Sequence, residues 1–266
     1  MSTFDIARIN EAVRGTQFHG KLHHFPTIDS TNIRALTDAH AGAEAGQVYI
    51  ADEQTAGRGR GGHTWHSELD RGLYLTVLVR PSLNSNEVLN LSLATGIAAA
   101  QAIREVTAHS IDIRWPNDLV VPQKSGPSLK LGGILTEAAS TPDGTIRHAA
   151  IGIGINLNQA ELPQELRSTA TSLRIAFAAP VSREAIAIAL LHHLHAELLS
   201  LNPNEINGLY ERFERCSTWT RCKRVHVAEG EGYTGTTAGL TADGLLRIHC
   251  DDGFERVVRH GGVREL

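Results

Sequence analysis

Between Ile111 and Asn158 the chain holds "IDIRW", "DLVV", "KLGGILTEAA" and "IRHAAIGIGINLN" in close succession, β-type runs whose connections leave no room for crossover helices. A parallel return needs a dozen or more residues. Strands joined by a turn at "QKSGPS" and another at "TPDG" must therefore form a mixed or largely antiparallel sheet. Upstream, "GQVYIADEQ" alternates briefly and stops at polar residues, as a short strand does. "GLYLTVLVRP", rich in β-branched and aromatic residues and closed by Pro81, predicts a buried strand.

Such a sheet needs cover. The run from Asn86 to His109 is rich in Ala and Leu on a helical period and predicts one long helix, or two joined at Thr95-Gly96. "DSTNIRALTDAHA" places cap-type Asp29, Ser30 and Thr31 before Ile33, Leu36 and Ala39 on one face, an N-capped helix. "SREAIAIALLHHLHAELLSL" and "NEINGLYERFER" add two more, separated by Pro203. After about Cys216 the texture changes to short alternating strands with Gly turns, a small β-barrel or sandwich with little core of its own that should dock on the larger unit. The expected class is α+β (α/β), divided into residues 1–215 and 216–266. No internal repeat or low-complexity linker interrupts it.

Composition narrows the function. With 266 residues, 41% hydrophobic and 20% charged, the chain suits a soluble globular protein of one large domain and a smaller companion. No apolar run reaches a membrane span, and the start "MSTFDIARIN" lacks a basic segment followed by an apolar one, so a cytoplasmic protein without membrane partners is expected. Cys216, Cys222 and Cys250 show no C-x-x-C spacing, which predicts reduced structural thiols rather than a zinc knuckle or a disulfide framework. A net charge of −4 argues against a chain that mainly coats nucleic acid. His192, His193 and His195 lack the i, i+4 pair of a helical zinc site, and no G-x-S-x-G elbow supports hydrolysis.

The chemistry gathers in a few short runs. "EQTAGRGRGGHTW", Glu53 to Trp65, sets Arg58 and Arg60 among Gly57, Gly59, Gly61 and Gly62. Glycine permits close backbone approach and arginine supplies permanent planar donors, a combination suited to a carboxylate or phosphate; an isolated Gly/Arg run is more often a solvated loop. It is neither a Walker loop nor a dinucleotide fingerprint. Ser30, Thr31 and Asn32 combine hydroxyl and amide groups with free N–H donors at a helix start, where a small polar head group can sit. "RWPNDL" brings Asn117 and Asp118 to a strand-flanking turn, either as a plain turn or to orient a metal or polarise a nucleophile. Lys130 opens "KLGGIL", either reaching a phosphate or carboxylate or guarding a sheet edge. Gly152 and Gly154 strip one strand face bare for a ligand or a packed helix before Asn156 ends it.

Together and in this order, "DSTN", "EQTAGRGRGGHTW", "WPNDL", "KLGGILTE" and "GIGINLN" resemble the biotin protein ligases (biotin, acetyl-CoA-carboxylase ligases), and the β-rich tail resembles that family's small SH3-like domain. The resemblance implies a two-step reaction with ATP, biotin and Mg²⁺. Biotin first becomes biotinyl-5'-AMP with loss of pyrophosphate; a lysine of the biotin carboxyl carrier protein of acetyl-CoA carboxylase then takes the biotin. It implies a biotin site at Ser30, Thr31, Asn32, Gln54, Arg58, Gly59, Arg60 and Lys130, and an adenylate site at Arg58, Arg60, Trp65, Asn117 and Asn156. Lys130, Arg60 and Asp118 are implied in catalysis, with Asp118 facing the incoming lysine or Mg²⁺.

Two departures stand out. Gly61 and His63 occupy positions where the family often has arginine, which implies a looser or, through His63, pH-sensitive hold on the adenylate. Fewer than 30 residues precede Asp29, so the repressor domain of the bifunctional relatives, and with it any DNA partner, is not expected. The oligomer stays open between monomer and homodimer. The alternative enzyme is a lipoate protein ligase or related acyl transferase, whose R-R-x-S-G-G-G type run is absent; a nucleic-acid-binding module explains neither "DSTN" nor "WPNDL".

Overall fold

The protein is described here by a computed structural model covering residues 4–202, 205–259 and 262–266. In chain order the elements are α1 (Ile6–Ala12), β1 (Leu22–Ile28), α2 (Thr31–His40), β2 (Val48–Gln54), β3 (Gly72–Val79), α3 (Val88–Thr107), β4 (Asp112–Arg114), β5 (Asp118–Val121), β6 (Leu129–Ser140) and β7 (Ile146–Asn156). Three helices follow, α4 (Leu173–Phe177), α5 (Arg183–Leu199) and α6 (Ile206–Cys216). The tail supplies β8 (Arg221–Val227), β9 (Tyr233–Leu240), β10 (Leu246–Cys250), β11 (Glu255–Val258) and β12 (Val263–Glu265).

Seven strands make the main sheet in the order β1-β2-β3-β7-β6-β5-β4. Only β1 and β2 pair in parallel, with α2 as their connection; every other pair is antiparallel, as the short turns require. Lys130 therefore lies on an interior strand, and the edge-guard alternative falls away.

The sheet is covered on both faces. α3 and α5 pack behind it, and Leu91, Leu93, Ile97 and Ile103 of α3 are wholly buried, each contributing roughly 1.5–3 kcal/mol. α3 passes Thr95 and Gly96 without a break, and Gly96 lets Ile113 and Ile134 approach the helix. On the opposite face α2 covers Tyr49, Leu78 and Ala150 with Ala35 and Ala39. Its buried stripe is Asn32, Ala35 and Ala39 rather than Ile33, Leu36 and Ala39, and Ser30 makes no side-chain cap; the Asp29 carboxylate instead accepts from the Ser30 N–H. The helix start is packed into a polar pocket, so its first side chains take tertiary partners.

Five tail strands form a second, antiparallel sheet in the order β11-β10-β9-β8-β12. It shares one continuous hydrophobic cluster with the main sheet. Trp115 Nε1 donates to Gly244 O at 3.0 Å and Thr218 binds the Asp112 carboxylate, so the two sheets are locked together beside β4. The helix break expected at Pro203 lies outside the described residues. Among the described cysteines none is bridged, and Cys222 is exposed rather than structural. No helix among the described residues is long and apolar enough to cross a membrane.

Candidate active site

Every site residue named from the sequence lines one open cleft of about 840 Å³ on the α2 face of the sheet. Its floor is β7, where Gly152 and Gly154 share a face. A Cβ at Gly152 would collide with Asn32 Oδ1, and one at Gly154 would lie 2.6 Å from Trp65 Cε2. The bare strand face thus admits the start of α2 and the end of the Gly/Arg loop.

At one end of the cleft lies a buried polar chain. Gln54 Oε1 accepts from the Thr31 N–H at 2.9 Å and from the Thr31 hydroxyl at 3.1 Å, and Gln54 Nε2 donates to Ser67 Oγ at 3.1 Å. Gln54 and Ser67 stand at the two ends of the Gly/Arg loop, so this chain also staples the loop's base. Asn32 Nδ2 donates to Leu135 O and Glu137 Oε2, at 3.2 and 2.9 Å. Ser30 is buried beside them.

The loop itself is a tight hairpin. Gly59 N donates to His63 O at 2.7 Å and Trp65 N to Gly57 O at 2.9 Å, while Gly61 and Gly62 take φ of +68° and +80° at the tip. Those left-handed angles suit glycine, which accounts for Gly61 in this conformation. Arg58 reaches back to Glu137 Oε1 at 2.8 Å. Arg60 is exposed and has no acidic partner among the described residues. His63 is exposed and contributes its carbonyl to the hairpin. The Trp65 indole, with its N–H buried and unpaired, lies under Lys130, whose Nζ is 5.8 Å from the ring centroid.

At the other end β5 and β6 bring together Asp118 and two cations. Lys130 Nζ lies 2.6 Å from Asp118 Oδ1, and Arg114 Nη2 lies 2.6 Å from Oδ2. Burial works to raise the Asp118 carboxyl, and the charges of Lys130 and Arg114 outweigh it, holding the group below the ordinary carboxylate range. Asp118 is a fixed anion that aims the lysine. Both Asp118 oxygens are paired with cations, and no group of three or more His, Cys, Asp or Glu among the described residues is placed to hold a metal.

The two asparagines are occupied. Asn117 Nδ2 donates to Ile134 O at 2.8 Å, pinning β6 beside Asp118. Asn156 donates to Thr171 O and accepts from Gln159, so its amide orders the segment that closes the cleft past β7. That segment pairs with Lys130 through both backbone groups, Lys130 N to Thr169 O and Thr171 N to Lys130 O, each at 2.8 Å.

Arg114 and Glu137 complete the site from outside the expected set. Both sit within the quoted runs, in "RWPNDL" and "KLGGILTE", yet only the folded chain shows which side chains they face. His192, His193 and His195 take separate partners, Ala12 O, Glu105 and the Gln17 N–H, in keeping with a helix face rather than a metal centre.

The chain is similar to known ligases in sequence and in fold. The profile of the biotin/lipoate A/B protein ligase family matches residues 24–156. A biotin--[acetyl-CoA-carboxylase] ligase of Mycobacterium tuberculosis is 32% identical over 239 residues, covering 88% of this chain and 84% of that protein. The bifunctional ligase/repressor BirA of Bacillus subtilis is 30% identical over 241 residues, covering 89% and 71%. Among solved structures, the biotin protein ligase from Aquifex aeolicus in complex with biotin and ATP aligns with a TM-score of 0.76 at 27% identity, covering 92% of this chain and 97% of that one.

Proposed function

This chain belongs to the biotin/lipoate A/B protein ligase family, and from that premise we infer that it is an ATP-dependent biotin protein ligase. The relatives named for biotin, and the solved ligases holding biotin with ATP or biotinyl-5-AMP, favour biotin over lipoate as the acid. In the first step the biotin carboxylate attacks the α-phosphate of ATP, forming biotinyl-5'-AMP and releasing pyrophosphate. In the second, the amine of an acceptor lysine attacks the mixed anhydride, forming an amide and releasing AMP.

The observation that carries this reading is the arrangement of charge in the cleft. A carboxylate approaching a phosphate needs fixed positive charge that requires no reorganisation, and Lys130, held by Asp118 and flanked by Arg114, supplies it. Lys130 is assigned to the reacting carboxylate and phosphate, Asp118 to orienting Lys130, and Arg58, Gly59 and Arg60 to closing over the two anions. Ser30, Thr31 and Gln54 would meet the ureido head, with Asn32 behind them. Trp65 walls the site, and Asn117 and Asn156 order its adenylate side.

Mg²⁺ would arrive on the triphosphate, since it is held largely by substrate phosphates and water in such sites and Asp118 already pairs with Lys130 and Arg114. A biotin carboxyl carrier domain is the proposed acceptor, and a division near residue 215 separates the catalytic part from the SH3-like tail.

Incubation with ATP, Mg²⁺, labelled biotin and a carrier domain should release pyrophosphate and place label on the acceptor lysine. Absence of both products would reject the activity, and transfer of lipoate alone would move the protein to the lipoate branch.

A further inference from the structure

Arg114 and Lys130 share the single charge of Asp118, so this end of the cleft keeps one positive charge in excess. Arg114 takes its share firmly, Nη2 and Nε both donating to Oδ2 at 2.6 and 3.2 Å. Lys130 takes the other oxygen and stays 34% exposed in the cleft. Without Arg114 the lysine and the aspartate would form a neutral pair, and Lys130 would leave it for a substrate anion at greater cost.

What keeps Arg114 in place comes from the turn between α6 and β8. Arg114 ends β4, a three-residue edge strand, and the Trp219 ring lies against its guanidinium, with Cζ 5.4 Å from the ring centroid. Ser217 and Thr218 fasten that turn to the two residues before Arg114. Ser217 Oγ donates to Ile113 O at 2.5 Å, and the Thr218 N–H and hydroxyl donate to the Asp112 carboxylate at 3.0 and 2.5 Å. Trp219 is 1% exposed, an environment in which a cation–ring contact is strong, and its indole N–H finds no partner among the described residues. A leucine would fill such space without burying an unpaired donor, so packing alone does not account for the indole; its face toward Arg114 does. Lys223 lies near the same ring at 5.2 Å, but its charge is met by Glu265 at 2.5 Å.

We propose that Trp219 is a positioning residue for the reaction: its ring holds Arg114 on Asp118, which leaves Lys130 free to meet the reacting anions. This rests on the biotin-ligase reading and extends it. Trp219 acts through Arg114, and Arg114 acts through Asp118.

The test is single-turnover pyrophosphate release from biotin and ATP by the full chain, beside equilibrium ATP binding. Arg114→Met, which keeps a long side chain and removes the charge, should lower the rate by about tenfold or more while ATP affinity changes less than about fivefold. Trp219→Leu should also lose about tenfold in rate, and Trp219→Phe, which keeps a ring face, should stay within about threefold of the wild type. Added to Arg114→Met, Trp219→Leu should cost less than about twofold more, because the ring then has no guanidinium to hold. A purely structural tryptophan would cost the same in both backgrounds. A near wild-type rate for Arg114→Met overturns the proposal without any change at Trp219. So does a Trp219→Phe protein slowed tenfold or more, or a double variant whose losses multiply. No pyrophosphate from biotin and ATP in the wild type would instead reject the ligase reading beneath it.

Discussion

Lys130 Nζ sits 2.6 Å from Asp118 Oδ1, at the junction of two paired strands and opposite Arg114 on the other carboxylate oxygen. Under the proposed function the lysine is thereby preset where charge would grow during adenylation. Lys130→Ala should lower the rate of pyrophosphate release by about 10²–10³ while changing ATP affinity less than about fivefold. Single-turnover kinetics beside equilibrium ATP binding separates the two, and release at a near wild-type rate would remove Lys130 from catalysis.

Arg60 is exposed and free of acidic partners among the described residues, so its guanidinium is available to clamp the mixed anhydride. Arg60→Gly should release biotinyl-5'-AMP roughly tenfold faster than the wild-type protein, a loss expected for a hydrogen bond to a charged group. Rapid filtration of labelled intermediate measures this; unchanged retention counts against the clamp.

Gly154 carries the Trp65 indole against a bare strand. A methyl group there would press on Trp65 Cε2 at 2.6 Å and Nε1 at 2.7 Å. Gly154→Ala should keep the fold, because the half-buried indole can swing outward, and weaken adenylate binding by roughly tenfold or more. Circular dichroism together with ligand titration checks both halves, and wild-type affinity would show that Trp65 does not wall the site.

His148 is almost wholly buried on β7, with both ring nitrogens unpaired and His40, Arg147 and Arg80 beside it. Burial, then these like charges, lowers its pKa below the ordinary 6.5, so folding favours the neutral ring. The stability this provides is complete above that ordinary value and is lost as pH falls through the native pKa. Urea midpoints between about pH 8 and pH 5 should therefore fall more steeply for the wild-type protein than for His148→Leu. Parallel curves would show that another group sets the acid limit.

Much of the sheet is legible because local patterns force it. Short turns at "QKSGPS" and "TPDG" allow only antiparallel returns, and β3, β6 and β7 appear where alternation and β-branched residues place them. β1 is different. "LHHFPTI" is an edge strand with a proline and an exposed His23, and its parallel pairing with β2 depends on the α2 crossover that connects them rather than on any local period.

The same division runs through the site. Residue types and their spacing mark which groups could serve: the glycines that let backbone and indole approach, the arginines of the loop, Lys130 and the polar start of α2. Which partner each of them meets follows from the fold. Asn32 donates to groups inside the protein, Asp118 pairs with Lys130 and Arg114, and Glu137 joins the loop to α2. Residue type sets how many protons a side chain can give or take, but the balance of donors and acceptors in a buried pocket is a property of neighbours distant in sequence.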